Sequence, residues 1–239
     1  MAAITLTNGK AWASQKAAKA HFKEILHTYA NGAPVDDPGH HDDLAALVVR
    51  LDAVLPAEER KGTAGIVRFE RRLNTGAGFA TPGFWLVRPN GEATDFSYLT
   101  AIEGRAKSQD LEFADACRRA VAGELAAFMR AEFARSSNGV VACALTGARI
   151  AQAEAHVDHD DPSFASIILS FRQAQGWVGS VPAGVLTSGA DAQTTTTFVR
   201  PADEAAFRAF HQAHAKLRVV SVAANLARAA SQRRPAPIA

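Results

Sequence analysis

Cysteine is nearly absent from this sequence, Cys117 and Cys143 being the two present. Two thiols exclude a disulfide framework and a four-cysteine zinc site, and both are read as reduced. Long apolar runs are missing as well. Stretches such as Ile167-Ile168-Leu169 and Leu217-Arg218-Val219-Val220 fall far short of the about 20 apolar residues a membrane helix needs. The first residues lack the basic start and apolar core of a signal peptide. These absences predict a cytoplasmic protein with no membrane partner. An excess of one charge sign is also lacking: 26 Lys and Arg face 24 Asp and Glu, for a net charge of +2 and a pI near 8.7, which permits a phosphate-bearing partner without requiring one. With 239 residues, the chain can form one large domain or two small ones.

What is present is patterned. Residues 1–12 are polar around an Asn8-Gly9 turn signal, a loose lead-in or a short strand. A helix is predicted from Ser14, its N-cap, with Ala18, Phe22, Ile25, Leu26 and Tyr29 at helical spacing and an end at Asn31-Gly32. Leu44, Leu47, Val48 and Leu51 mark a second helix. Ile66 to Glu70 alternates as a strand, and Phe84 to Arg88 and Thr94 to Tyr98 flank Asn90-Gly91 as a hairpin. Trp85 and Phe96 then share or oppose faces of one small sheet. A long helix follows over Leu111 to Phe133, closed by Ser136-Ser137-Asn138-Gly139. Arg68, Arg71 and Arg72, then Arg118 and Arg119, then Arg218, Arg228, Arg233 and Arg234 form basic clusters, each read first as a solvated face.

Within the first hundred residues, Phe22-Lys-Glu-Ile-Leu-His-Thr-Tyr29, Leu44 to Leu47, Lys61-Gly-Thr-Ala-Gly-Ile66, Phe84-Trp-Leu-Val-Arg-Pro-Asn-Gly91 and Asp95-Phe-Ser-Tyr98 occur in order. This segment resembles the DCL domain, named for a plant defective-chloroplasts-and-leaves protein. Members of that family are linked to ribosomal RNA processing and occur on a plant RNA polymerase subunit, so the resemblance implies nucleic-acid association. Where the family has Cys before the Phe of the central strand, this chain has Gly83.

The chemistry-bearing stretch is Val141 to Pro162. It reads as two short strands joined at Thr146-Gly147, the second ending in His156-Val157-Asp158-His159. A carboxylate beside an imidazole suits metal-assisted hydrolysis: Asp158 would hold a hard cation, and His159, with an unperturbed pKa near neutrality, would take a proton from water. His156 is a supporting or surface residue. Asp160 and Asp161 are extra ligands or, in preference, a cap for a helix from Phe164. Residues 176–197 read as a loop with one strand at Thr195 to Val199, Pro201-Ala-Asp203 starts a helix through Phe207, Phe210 and His211, and a last helix is predicted from Leu217 to Arg228. His211 and His214 lie three apart, a spacing compatible with a metal pair but read as packing or solvent contacts. Residues from Arg233 onward form a tail.

The strand-end Asp-His with the late Leu217-Arg-Val-Val…Asn225-Leu226 segment resembles the HNH endonucleases, built on a ββα-metal unit. The resemblance implies that Asp158 binds the metal, Asn225 is the polar ligand on the helix, and His159 is the general base, with Mg²⁺ or Mn²⁺ as the ion and 5′-phosphate and 3′-hydroxyl products. Arg218, Arg228 and His156 would contact substrate. The zinc-binding Cys pairs of many HNH proteins are absent, so no structural zinc is expected, and the middle Asn that orients the imidazole falls at Lys216.

The sequence thus predicts an α+β protein: a DCL-like recognition domain over 1–108, with two helices on a small antiparallel sheet, a linking helix over 109–137, an HNH-like ββα-metal domain with a long insertion over 138–232, and a tail over 233–239. The expected function is metal-dependent DNA hydrolysis, with RNA as another ligand and a homodimer open. The competing expectation is a non-catalytic nucleic-acid-binding protein that keeps the HNH-like scaffold.

Overall fold

The computed structural model describes residues 3–76, 79–187, 195–229 and 235–238. Residues 188–194 of the expected loop and much of the expected tail, including Arg233 and Arg234, lie outside the described residues. The fold is α+β, as the patterns predict. Among the described residues no helix is long and apolar enough to cross a membrane. The chain separates into two compact units between Ser108 and Gln109.

The first unit opens with two short antiparallel strands, β1 (Ile4–Thr5) and β2 (Ala11–Trp12), folded about the Asn8-Gly9 turn, where Gly9 takes φ +85°. Helix α1 (Gln15–Thr28) starts at Ser14, whose hydroxyl accepts the Ala17 N–H. It buries Ala18, Phe22, Ile25 and Leu26, and each of the three larger side chains contributes about 1.5–3 kcal/mol. It ends at Tyr29, earlier than the Asn31-Gly32 signal. Helix α2 (Pro38–Asp52) is capped by Asp37 with Pro38 at its first turn. Strands β3 (Arg68–Gly76), β4 (Phe79–Val87) and β5 (Ala93–Phe96) form an antiparallel sheet, the Asn90-Gly91 turn joining the last two. Phe84 faces Phe96 across the ladder and Trp85 faces Asp95. Trp85 is therefore on the face opposite Phe69, Phe84 and Phe96, whose rings stack with α1 and α2 in the core. Helix α3 (Tyr98–Glu103) closes the unit against α1 and α2. Gly83 has a local reason: a Cβ there would come within 2.7 Å of Asn74 Nδ2, and Asn74 Oδ1 accepts the Trp85 indole N–H at 2.8 Å.

The second unit is built along α4 (Gln109–Ala134). Its first half supplies Phe113, Ala116, Cys117, Ala120 and Val121 to an aromatic-rich core. Its second half places Phe128, Met129 and Phe133 against a smaller core. The helix placed between the two halves on sequence grounds thus packs within the second. Strands β6 (Val140–Ala142) and β7 (Arg149–Ala151) form a hairpin around Thr146-Gly147. Here the structure corrects the expected strand order. β7 stops at Ala151, whose N–H is taken by the Glu154 carboxylate at the start of a single 3₁₀ turn. β8 (Ala155–His159) begins only after that turn and pairs elsewhere.

Helix α5 (Phe164–Ala174) is capped by Ser163, and α6 (Pro201–His214) starts on Pro201 with no side-chain cap from Arg200. The strand expected at Thr195 to Val199 reduces to one bridge between Leu186 and Phe198. Leu217–Ser221 is not the start of the last helix but strand β9, antiparallel to β8, with Asp158 opposite Arg218 and His159 opposite Leu217. The helix, α7 (Val222–Ala229), follows directly, with the Ser221 hydroxyl accepting the Ala224 N–H. Val219 and Val220 are both buried. β-branched neighbours on opposite strand faces fill two sides at once, which a helical stripe does not do.

Candidate functional site: a β8–β9–α7 unit

β8, β9 and α7 make a ββα unit whose two strands are separated by residues 160–216. His156 and Asp158, two apart on β8, share one face of the strand. α7 supplies Asn225 and Arg228, three apart and so neighbours on one helix face. Asn225 Nδ2 lies 3.1 Å from His156 Nδ1. Asp158 Oδ2 accepts Arg218 Nε at 2.9 Å, Arg218 Nη2 at 2.8 Å and Arg228 Nη1 at 2.8 Å. Arg218 also donates to Asp160. Five residues singled out in the sequence, His156, Asp158, Arg218, Asn225 and Arg228, therefore meet on one side of the unit.

His159 is on the other side. It is the last residue of β8 and still paired, and Asp160 N–H continues the ladder to the Lys216 carbonyl at 2.8 Å. Strand alternation turns its ring away from Asp158 and toward α5 and α6. The His159 ring lies 4.8 Å from that of Phe164, and its Nε2 is 2.8 Å from His211 Nε2. His211 Nδ1 in turn lies 3.3 Å from Glu124 Oε2. Glu124 Oε1 accepts Arg208 Nε at 3.2 Å and Gln212 Nε2 at 2.8 Å. Burial, then the charge of His211, lower the His159 pKa to about 4 against a smaller opposing pull from Asp158. Burial also lowers that of His211, with Glu124 opposing. Both shifts favour the neutral imidazole.

The β6–β7 hairpin is tied to β9 by hydrogen bonds. Cys143 Sγ accepts the Ser221 N–H at 3.2 Å, and Ala144 N–H reaches the Val219 carbonyl at 2.9 Å. The sequence patterns do not mark Glu124, Arg208 or Gln212, and they assign His211 only a packing or solvent contact. Arg208, His211 and Gln212 occupy one face of α6, but the carboxylate that unites them comes from α4, so no local spacing marks the cluster. His214 does have a packing role, stacked on Phe210 with Nδ1 on the Phe210 carbonyl.

A family model described as "Protein of unknown function (DUF3223)" matches residues 23–102, inside the first unit. A solution NMR structure of an uncharacterized protein from Rhodospirillum rubrum is similar at 26% identity over 41% of this chain and 86% of its own, with a TM-score of 0.34. No curated protein matches the chain.

Among the described residues there is no group of three or more His, Cys, Asp or Glu side chains able to hold a metal. The set Asp158, Asn225 and His156 is of another kind: one carboxylate, one amide and one imidazole on a single face. Asp158 and Asn225 each carry an oxygen of the kind a hard divalent cation takes. Arg218 and Arg228 engage one carboxylate oxygen, so the ion would share Asp158 with two guanidinium groups.

Proposed function

We propose that the second unit is an HNH-like, metal-dependent endonuclease acting on DNA, and that the DCL-like first unit recognises or docks nucleic acid. The observation that carries this reading is the β8–β9–α7 unit, which brings His156, Asp158 and Asn225 together across the intervening residues 160–216. A phosphodiester resists attack because its oxygens repel a nucleophile. Asp158 and Asn225 would hold a divalent ion, Mg²⁺ or Mn²⁺, which when bound neutralises charge developing on the scissile phosphate and the leaving oxygen. His159 would take the proton of the attacking water, and because its ring lies on the face of β8 opposite Asp158 it would do so from beyond the end of the strand. Arg218, Arg228 and His156 meet the phosphate backbone. The products are a 5′-phosphate and a 3′-hydroxyl. Two buried, reduced thiols agree with a cytoplasmic setting, and a homodimer would supply the second nick for a double-strand break.

A second reading, a non-catalytic nucleic-acid-binding protein, is favoured by the three guanidinium bonds on Asp158 Oδ2 and by His159 lying on the opposite strand face. Incubating plasmid and single-stranded DNA with the full chain and Mg²⁺ or Mn²⁺, beside EDTA and a His159→Ala control, separates them. The nuclease reading expects metal-dependent cleavage that His159→Ala abolishes. Cleavage no greater than in that control, together with salt-sensitive RNA binding indifferent to Asp158→Ala, would establish the second.

A further inference from the structure

We propose that Glu124 and His211 form, with His159, a relay that fixes His159 as the Nε2–H tautomer and leaves Nδ1 as its basic nitrogen. Glu124 supplies the carboxylate of the three. The Glu124 carboxylate can accept but not donate, so His211 Nδ1, 3.3 Å away, carries a proton. A neutral His211 then has Nε2 as an acceptor. The group facing it at 2.8 Å is His159 Nε2, which must supply the N–H. A neutral His159 protonated at Nε2 has its lone pair at Nδ1, and that nitrogen has no protein partner among the described residues. One carboxylate on α4 thus determines which ring atom of a residue on β8 can take a proton.

The surroundings hold the relay in this sense. The Glu124 carboxylate is aimed by Arg208 and Gln212, which flank His211 on the same face of α6. The His211 ring packs against Phe164 and Phe207, and the His159 ring against Phe164, so neither imidazole can turn over without unstacking. The position where an HNH-like site would be expected to carry an orienting Asn is Lys216, and there the backbone carbonyl serves Asp160. The orienting role falls instead to His211, with Glu124 behind it. Both are positioning residues. The logic is that of a nucleophile–base–orienter chain, in which the outer carboxylate selects a tautomer rather than taking the proton.

This inference rests on the nuclease reading only for its consequence in rate, so its test has two arms. In the metal-free full chain at pH 8, ring ¹⁵N NMR should show His159 protonated at Nε2. Glu124→Gln, which lets the outer group donate as well as accept, should convert this to a mixture of tautomers. His211→Gln, whose amide can accept from His159 and donate to Glu124, should retain the wild-type tautomer. In Mn²⁺-dependent cleavage, His211→Phe keeps the ring stacking and loses the relay; kcat should fall about 10–100-fold with KM for DNA unchanged, and His211→Gln should recover most of the rate. A wild-type His159 protonated at Nδ1, or a His159 tautomer indifferent to Glu124→Gln in a folded protein, overturns the relay whether or not the protein cleaves DNA. Full activity in His211→Phe overturns its role in catalysis. A wild-type chain that cleaves nothing refutes the nuclease reading alone, and the NMR result then decides the relay.

Discussion

Replacing Asp158 asks directly how its carboxylate is used. Its side chain is 9% exposed, and its Oδ2 takes three guanidinium bonds from Arg218 and Arg228, side chains 18% and 32% exposed. Removing one partner of a fully buried ion pair costs about 3–5 kcal/mol, because the remaining charge loses its compensation. Here both arginines reach solvent and Arg218 keeps Asp160, so Asp158→Ala should cost about 2–4 kcal/mol. Asp158→Asn keeps one neutral acceptor. Exchanging charge-assisted bonds of about 1.5–3 kcal/mol for neutral ones of about 0.5–1.5 kcal/mol should recover roughly half of the loss. Trp177 alone of the three tryptophans lies in the second unit. In a Trp12→Phe/Trp85→Phe background its fluorescence therefore follows that unit through urea unfolding. With an m-value of about 2 kcal/mol/M, the midpoint should fall by about 1–2 M for Asp158→Ala and about half as much for Asp158→Asn. A change below about 0.5 kcal/mol in Asp158→Ala would refute the reasoning: the guanidinium groups would then not engage Asp158 in solution, and the carboxylate would stand open to a cation.

Three further outcomes follow from local chemistry. Burial raises the Asp43 pKa, but hydrogen bonds from Lys10, His21 and Asn8 outweigh it and leave the folded value lowered. Its stabilisation is therefore present above the ordinary carboxylate range and lost as pH falls through the folded value; acid unfolding of the first unit, followed by Trp12 fluorescence, should lose steepness in Asp43→Asn. For Cys143, the Thr146 hydroxyl lowers the thiol pKa most, burial opposes it, and backbone N–H groups of Ser221, Leu145 and Thr146 bring it to about 6. The wild-type second unit should accordingly lose stability relative to Cys143→Ala as pH falls from about 8.5 through that value, with a thiolate absorbance step at 240 nm, and parallel pH profiles would refute the assignment. Gly83→Ala should push Asn74 off the Trp85 indole, because the new Cβ would stand 2.7 Å from Asn74 Nδ2. A destabilisation of about 1–3 kcal/mol with altered Trp85 emission is expected, and unchanged stability and emission would show that Asn74 is free to move.

The parts of this fold that were legible in the sequence are those whose cause is local. Ser14 caps α1 and Phe22, Ile25 and Leu26 line its buried face because a cap and a 3.6-residue stripe act within one turn. Asn90-Gly91 marks its hairpin for the same reason. β9 failed as a helix because its pairing with β8 is a long-range fact: Leu217, Val220 and Ala224 satisfy a helical stripe equally well, and only the partner strand decides. The candidate site divides in the same way. Asp158 and His159 are adjacent in sequence, which suggested one catalytic pair, yet adjacent residues of a paired strand point to opposite faces. Asp158 belongs to α7 through Arg228, and His159 to α6 through His211. The two half-sites are joined only at the end of β8, where the ladder finishes at Asp160 and Lys216. Under the nuclease proposal that is the place where one phosphate would meet both, so a substitution of Asp160 that splays the strand end should impair the proposed cleavage while leaving Asp158 and His159 in their separate networks. Unaltered cleavage in Asp160→Pro, which removes the N–H that closes the ladder, would argue that the two halves serve different ends.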